Sequence, residues 1–146
     1  MARPDTSTTE TFLFGYRDAI RERETIQAKL DILQTEMLPK SPSLTGMPGA
    51  ASYEDRMASY MARLEEQQQK WIAAMNKATQ AMIKIEGVIN RVEDAELRQL
   101  LQYRYMNGYH WDIIAESMNY SGQYIYELRI KALSCVANIL EQSKTE

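Results

Sequence analysis

The stretch WDIIAESMNYSGQYIYELRIKAL, residues 111–133, decides the fold of this chain. Ile114 and Met118 stand four apart and Ile125 and Leu128 three apart, so each pair shares one face of a short helix. Tyr120 lies between the pairs and completes the small apolar contact that two helices joined by a tight turn must bury. Ala115 falls where the helices cross, and a larger side chain there would hold the backbones apart. Asn119 is predicted to take a positive φ, a conformation in which Asn often replaces Gly. Ser121 can then N-cap the second helix. The pattern is that of a helix-turn-helix.

In such a unit the second helix enters the DNA major groove, and its early outward residues reach base edges. With Ile125, Leu128 and Ala132 facing inward, the outward set is Gly122, Gln123, Tyr126, Glu127 and Ile130. The Gln123 amide can pair bidentately with adenine, and Glu127 can accept from a cytosine amino group. Tyr124 and Tyr126 suit a thymine methyl or a phosphate. Arg129, Lys131 and His110 are placed for backbone charge, which positions without specifying. The candidate DNA-binding residues are therefore His110, Ser121, Gly122, Gln123, Tyr124, Tyr126, Glu127, Arg129 and Lys131. A plainer reading makes Gln123 and Glu127 a solvated helix face and His110 a surface cap. Tyr103, Tyr105, Tyr109 and Tyr120 read as packing residues before they read as a stacking platform.

GYHWDIIAESMNYSGQYIYELRIKAL, 108–133, resembles region 4, the last DNA-binding domain of bacterial sigma factors, down to the small residue before the final Leu (Ala132–Leu133). With the preceding helix, LRQLLQYRYMNGYHWDIIAESMNYS is similar to the sigma-like RinA/ArpU-like late-gene activators of phages and prophages of Gram-positive bacteria. A further likeness lies upstream in TGMPGAASYEDRM. The resemblance implies that Gly122, Gln123, Tyr126 and Glu127 face bases. It also puts His110 where a Ser or Thr usually caps the first helix and touches phosphate. Gly122 and Tyr126 replace basic residues usual in sigma factors, so promoter specificity does not carry over. Gly122 also weakens the helix start by up to about 1 kcal/mol.

Upstream of this unit the chain is patterned for long helices. Thr8 or Thr9 can cap a helix over Glu10–Leu38 with a heptad stripe of Phe12, Tyr16, Ala19, Arg23, Ile26, Leu30, Leu33 and Met37. Pro39 and Pro42 end it, and PKSPSLTGMPGAAS reads as a linker. Ser52 with Asp55 three residues on is a loose capping box for a second helix. Its stripe is Met57, Met61, Leu64, Gln68, Trp71, Met75, Ala78, Met82, Ile85, Ile89 and Val92. At roughly 1.5 Å per residue that helix is about 60 Å long and must find a partner along its length. The shorter first helix covers only part of it, which points to self-association. Gln68 within the seam suits register control, and the methionines serve either as gap-fillers or as an adaptable partner surface. Asp94 is predicted to cap a third helix, AELRQLLQYRYM, with Leu97, Leu100, Leu101 and Tyr105 inward. Asn107–Gly108 ends it.

The expected organisation is all-α: a disordered N-terminus (1–9), a long helical hairpin (10–92, linker 39–52), a sigma region 4-like helix-turn-helix domain (93–141) and a polar tail (142–146). No apolar run is long enough to cross a bilayer, and MARPDTSTTETF lacks the core of a signal peptide. These features lead us to expect a soluble, intracellular protein, and the resemblance implies the bacterial cytoplasm and association with the nucleoid. The single Cys135 cannot form an internal disulfide.

One His, one Cys and scattered carboxylates offer no nucleophile with its base, no metal cluster at ligand spacing and no Gly-rich phosphate loop. An enzyme is not expected, nor a cofactor or metal. Charge bears on the DNA reading: the chain carries a net −3, and from Asp94 to Leu140 four basic residues (Arg98, Arg104, Arg129, Lys131) meet five acidic ones. Phosphate contacts supply much of DNA affinity, so a single such module binds weakly. The expected partners are double-stranded DNA, a second copy through the long helices, and RNA polymerase. Two rival readings are a small terminase-like packaging subunit, which would assemble as a ring, and a polymerase-binding adaptor without DNA binding.

Overall fold

The computed structural model describes residues 6–36 and 52–144, all helix and short turns with no strand among them. The helices are α1 (Ser7–Leu13), α2 (Gly15–Glu36), α3 (Tyr53–Asn90), α4 (Ala95–Leu101), α5 (Trp111–Met118) and α6 (Gly122–Lys144). A π-helical turn, Gln102–Met106, continues α4. No helix among the described residues is long and apolar enough to cross a membrane. The prolines at 39, 42 and 48 and most of the expected linker lie outside the described residues.

Two compact units divide the chain, one of residues 20–76 and one built from residues 6–19 and 77–144. In the first, the Arg23 guanidinium donates to the Met75 sulfur at 3.5 Å and Arg63 lies 3.7 Å from Glu36, so α2 and α3 run in opposite directions. Its interior is Ile20, Leu30, Leu33, Tyr60 and Ala74. Arg23, the charged interruption of the first stripe, is thus accommodated by a sulfur acceptor. Ser52 Oγ accepts from the Asp55 N–H at 3.1 Å and starts α3 where its sequence predicts. The stripe on α3 departs from expectation in part: Tyr60 and Ala74 are buried, while Met61 and Gln68 are exposed. The rest of the stripe keeps its side: Ala78, Ile85, Ile89 and Val92 are buried, and Met57, Leu64, Trp71, Met75 and Met82 are half-buried.

The second unit is larger than the expected 93–141 module. Its core joins Leu13 to Ile85, Ile89, Val92, Leu97, Leu100, Leu101, Tyr105, Ile114, Ile125, Leu128, Leu133 and Val136, with Phe12, Phe14 and Tyr16 packed against it. Residues 7–9, expected to be disordered, form the first turn of α1, and Thr9 is buried. The single helix expected over 10–38 is instead divided at Phe14, whose ring meets Tyr105 edge-on at 5.0 Å. At the other end, α6 carries its helix through 142–144, which were expected in the polar tail.

Local signals place the joints of this unit. Asp94 Oδ1 accepts from the Glu96 N–H at 2.9 Å and caps α4, and Arg98 Nη1 donates to the Glu93 carbonyl at 2.9 Å, closing the end of α3. The helix expected to run on to Met106 widens after Leu101, with the Asn107 N–H reaching the Gln102 carbonyl at 3.0 Å. Gly108 follows at φ +77°, where an added Cβ would come within 2.7 Å of the Arg17 guanidinium. The positive φ favours glycine there, and the movable end of the Arg17 side chain lies where a Cβ would stand.

Candidate nucleic-acid interface

The turn between α5 and α6 takes three residues. Asn119 sits at φ 59°, ψ 41°, the left-handed conformation that ends a helix without a clash when the side chain is Gly or Asn. Its N–H reaches the Glu116 carbonyl at 3.2 Å, and the Tyr120 N–H reaches Ala115 at 2.9 Å, satisfying the last carbonyls of α5. Ser121 Oγ accepts from the Tyr124 N–H at 3.1 Å and caps α6. Ile114, Ala115, Ile125 and Leu128 are buried together in one core. Met118 is only half-buried. Tyr120 departs from its predicted place in that contact: it is exposed, its ring edge-on to Tyr124 at 4.7 Å. The neighbouring Glu96 carboxylate raises its phenol pKa.

Along the start of α6, Gly122, Gln123, Tyr124, Tyr126, Glu127 and Lys131 are exposed. The side chains of Gln123, Tyr126, Glu127 and Lys131 have no partner among the described residues. A Cβ at Gly122 would meet nothing within 4 Å, so this glycine serves no packing purpose. Ile130, expected outward, is half-buried. His110 stands at the N-cap position of α5 with extended backbone, φ −70°, ψ 153°, and its imidazole makes no capping bond. It is exposed beside the first turn of α5, which also presents Asp112 and Ile113.

The cations are disposed differently from expectation. Arg129 is paired with Glu10 of α1: Nε donates to Glu10 Oε1 at 3.2 Å and Nη2 donates to the same oxygen. Its guanidinium also lies 5.2 Å from the Trp111 ring centroid. Arg104 covers the same indole at 5.2 Å and the Phe14 ring at 5.4 Å, while Nη1 donates to the Tyr109 carbonyl at 3.0 Å. Trp111 is therefore a half-buried plate touched by two guanidinium groups. Of the four basic side chains between Asp94 and Leu140, only Lys131 has no partner among the described residues. Arg129, assigned from the sequence to backbone phosphate, is committed to an internal carboxylate instead.

No protein-family model, curated protein or solved structure matches the chain. The site must therefore be judged on its own geometry. The structure brings Gln123, Tyr124, Tyr126, Glu127 and Lys131 onto the exposed side of one helix start and leaves Arg129 on its flank. Glu10 is the residue that sequence reasoning missed. It precedes Arg129 by 119 positions, and nothing in the periodicity of either helix signals the pair.

Proposed function

We propose that the chain is a sequence-specific DNA-binding transcriptional regulator of phage or prophage type, an activator of phage genes, reading duplex DNA with α6 as the second helix of a sigma region 4-like helix-turn-helix. The observation that carries this reading is the start of α6, where Gln123 and Glu127 stand one turn apart, exposed and without internal partners, behind a left-handed turn and a serine cap. A polar pair with no structural employment on a well-anchored helix start is suited to reading base edges. Gln123 pairs with adenine through both amide atoms, Glu127 accepts from a cytosine amino group, and Tyr126 contacts a thymine methyl or a phosphate. The free N–H groups of the first turn, together with His110 and Lys131, meet the phosphate backbone.

With so few uncommitted cations, one module holds DNA weakly, and affinity comes from two modules carried on a dimer through the long helices. The hairpin of α2 and α3 is the element proposed to pair, and RNA polymerase is the further partner that the sigma-like resemblance implies. The test is selection of bound duplexes from a fragment library of the neighbouring genome at two salt concentrations. One site that survives the higher salt supports the regulator. Binding that vanishes uniformly with salt refutes it.

A second reading is favoured by the internal commitment of Arg98, Arg104 and Arg129. It makes the module a polymerase adaptor that has given up DNA. Co-purification with polymerase, with no duplex retarded, distinguishes it.

A further inference from the structure

We propose that Glu10 is an affinity-determining residue of this interface: by holding Arg129 it withdraws one cation from phosphate contact, so that α1 sets how much charge the α5–α6 module offers to DNA. The inference rests on the DNA-binding reading above. Arg98 and Arg104 are bound to carbonyl oxygens and aromatic faces, partners that leave their charge uncompensated. Arg129 differs because its partner is a carboxylate, a single oxygen of which receives both Nε and Nη2. The pair is largely withdrawn from solvent, with side-chain exposures of 32% for Arg129 and 21% for Glu10, so salt screens it less than a surface pair.

Position makes the withdrawal consequential. Arg129 follows Tyr126 by three residues and therefore lies on the adjoining flank of α6, one turn beyond the exposed reading face. Its guanidinium packs on Trp111, the first residue of α5, next to exposed His110. A phosphate reaching this flank competes with Glu10 for the same donors. Glu10 is itself fixed between buried Thr9 and Leu13 on α1, so the carboxylate stays while α1 is docked.

The experiment measures Kd against salt for the full-length protein on the duplex recovered by selection, using wild type, Glu10→Gln, Arg129→Gln and the double variant. Freeing one cation steepens the log–log salt slope by about 0.9, which is about a 3.5-fold larger fall in affinity over a fourfold rise in salt. Glu10→Gln is expected to bind more tightly at low salt with that steeper slope. Arg129→Gln alone is expected to keep the wild-type slope, and the double variant to match it. An unchanged slope in Glu10→Gln, or a shallower one in Arg129→Gln, overturns the proposal. If Glu10→Gln does not stay folded by circular dichroism, the Arg129→Gln slope decides the matter alone. A selection that recovers no duplex rejects the DNA-binding reading itself and this inference with it, whereas binding with equal slopes rejects only the role of Glu10.

Discussion

Replacing Tyr105 by Phe should stabilise the protein. Tyr105 is fully buried, and its hydroxyl has no hydrogen-bond partner among the described residues. The ring earns its place by packing, including the edge-on contact with Phe14 at 5.0 Å, and Phe keeps all of that. Burying an unbonded hydroxyl costs about 1–3 kcal/mol by protein mutational data. The void left by one oxygen offsets about a third of this through lost contact, at about 24 cal/mol per Å³. A net gain of about 1 kcal/mol follows, or roughly 2–6 °C in Tm for a chain of this size. Burial, with Glu10 adding to it, also raises the phenol pKa well above its ordinary value near 10. The folded state then binds the proton more tightly than the unfolded state. The wild type keeps its full stability below about pH 10 and loses it as pH rises toward the folded pKa, and the Phe variant lacks this loss. Urea and thermal unfolding followed by circular dichroism, at pH 7 and at pH 11, measure both effects. A Phe variant less stable by 1 kcal/mol or more at pH 7 would show that the hydroxyl is satisfied and refute the reasoning.

Three further outcomes are expected. Asn119→Ala should cost about 1–2 kcal/mol, because a Cβ without Asn's local hydrogen bonding is placed in the left-handed region, while Asn119→Gly should be neutral or slightly stabilising; equal losses in urea unfolding would contradict this. Gly108→Ala should cost about 1–2 kcal/mol through its positive φ, much as Asn119→Ala does, and because the Arg17 guanidinium it would meet is the flexible end of a side chain and can move aside, Arg17→Ala should recover little of the loss in a double-mutant cycle. Met61 and Ile72, eleven residues apart, share an exposed face of α3, so Ile72→Glu should leave helicity intact and lower the mass seen by light scattering if the long helices pair between chains. An unchanged mass would assign that face to solvent.

What the sequence determined by itself is local. The break at Asn119, the caps at Ser52, Asp94 and Ser121, the glycine after Asn107 and the inward face of residues 114–128 each depend on neighbours within a few positions, where backbone sterics and helical period act directly. Exposure of Gln123, Tyr126 and Glu127 follows from the same period, because fixing the buried side of a helix fixes the other. Partnership is a different matter. Periodicity says which face is apolar but not what covers it, so the packing of α1 and the start of α2 onto the core of the second unit, and the burial of Tyr60 and Ala74 on α3, were not legible. Nor was the widening at 102–106, although Tyr105 within it is buried as the helical period predicts. Charge is the least legible of all: Arg129 carries the same letter whether solvated, on a phosphate or bound to Glu10. Only the tertiary structure decided which, because an ion pair forms from proximity in space between side chains that the chain itself keeps 119 residues apart.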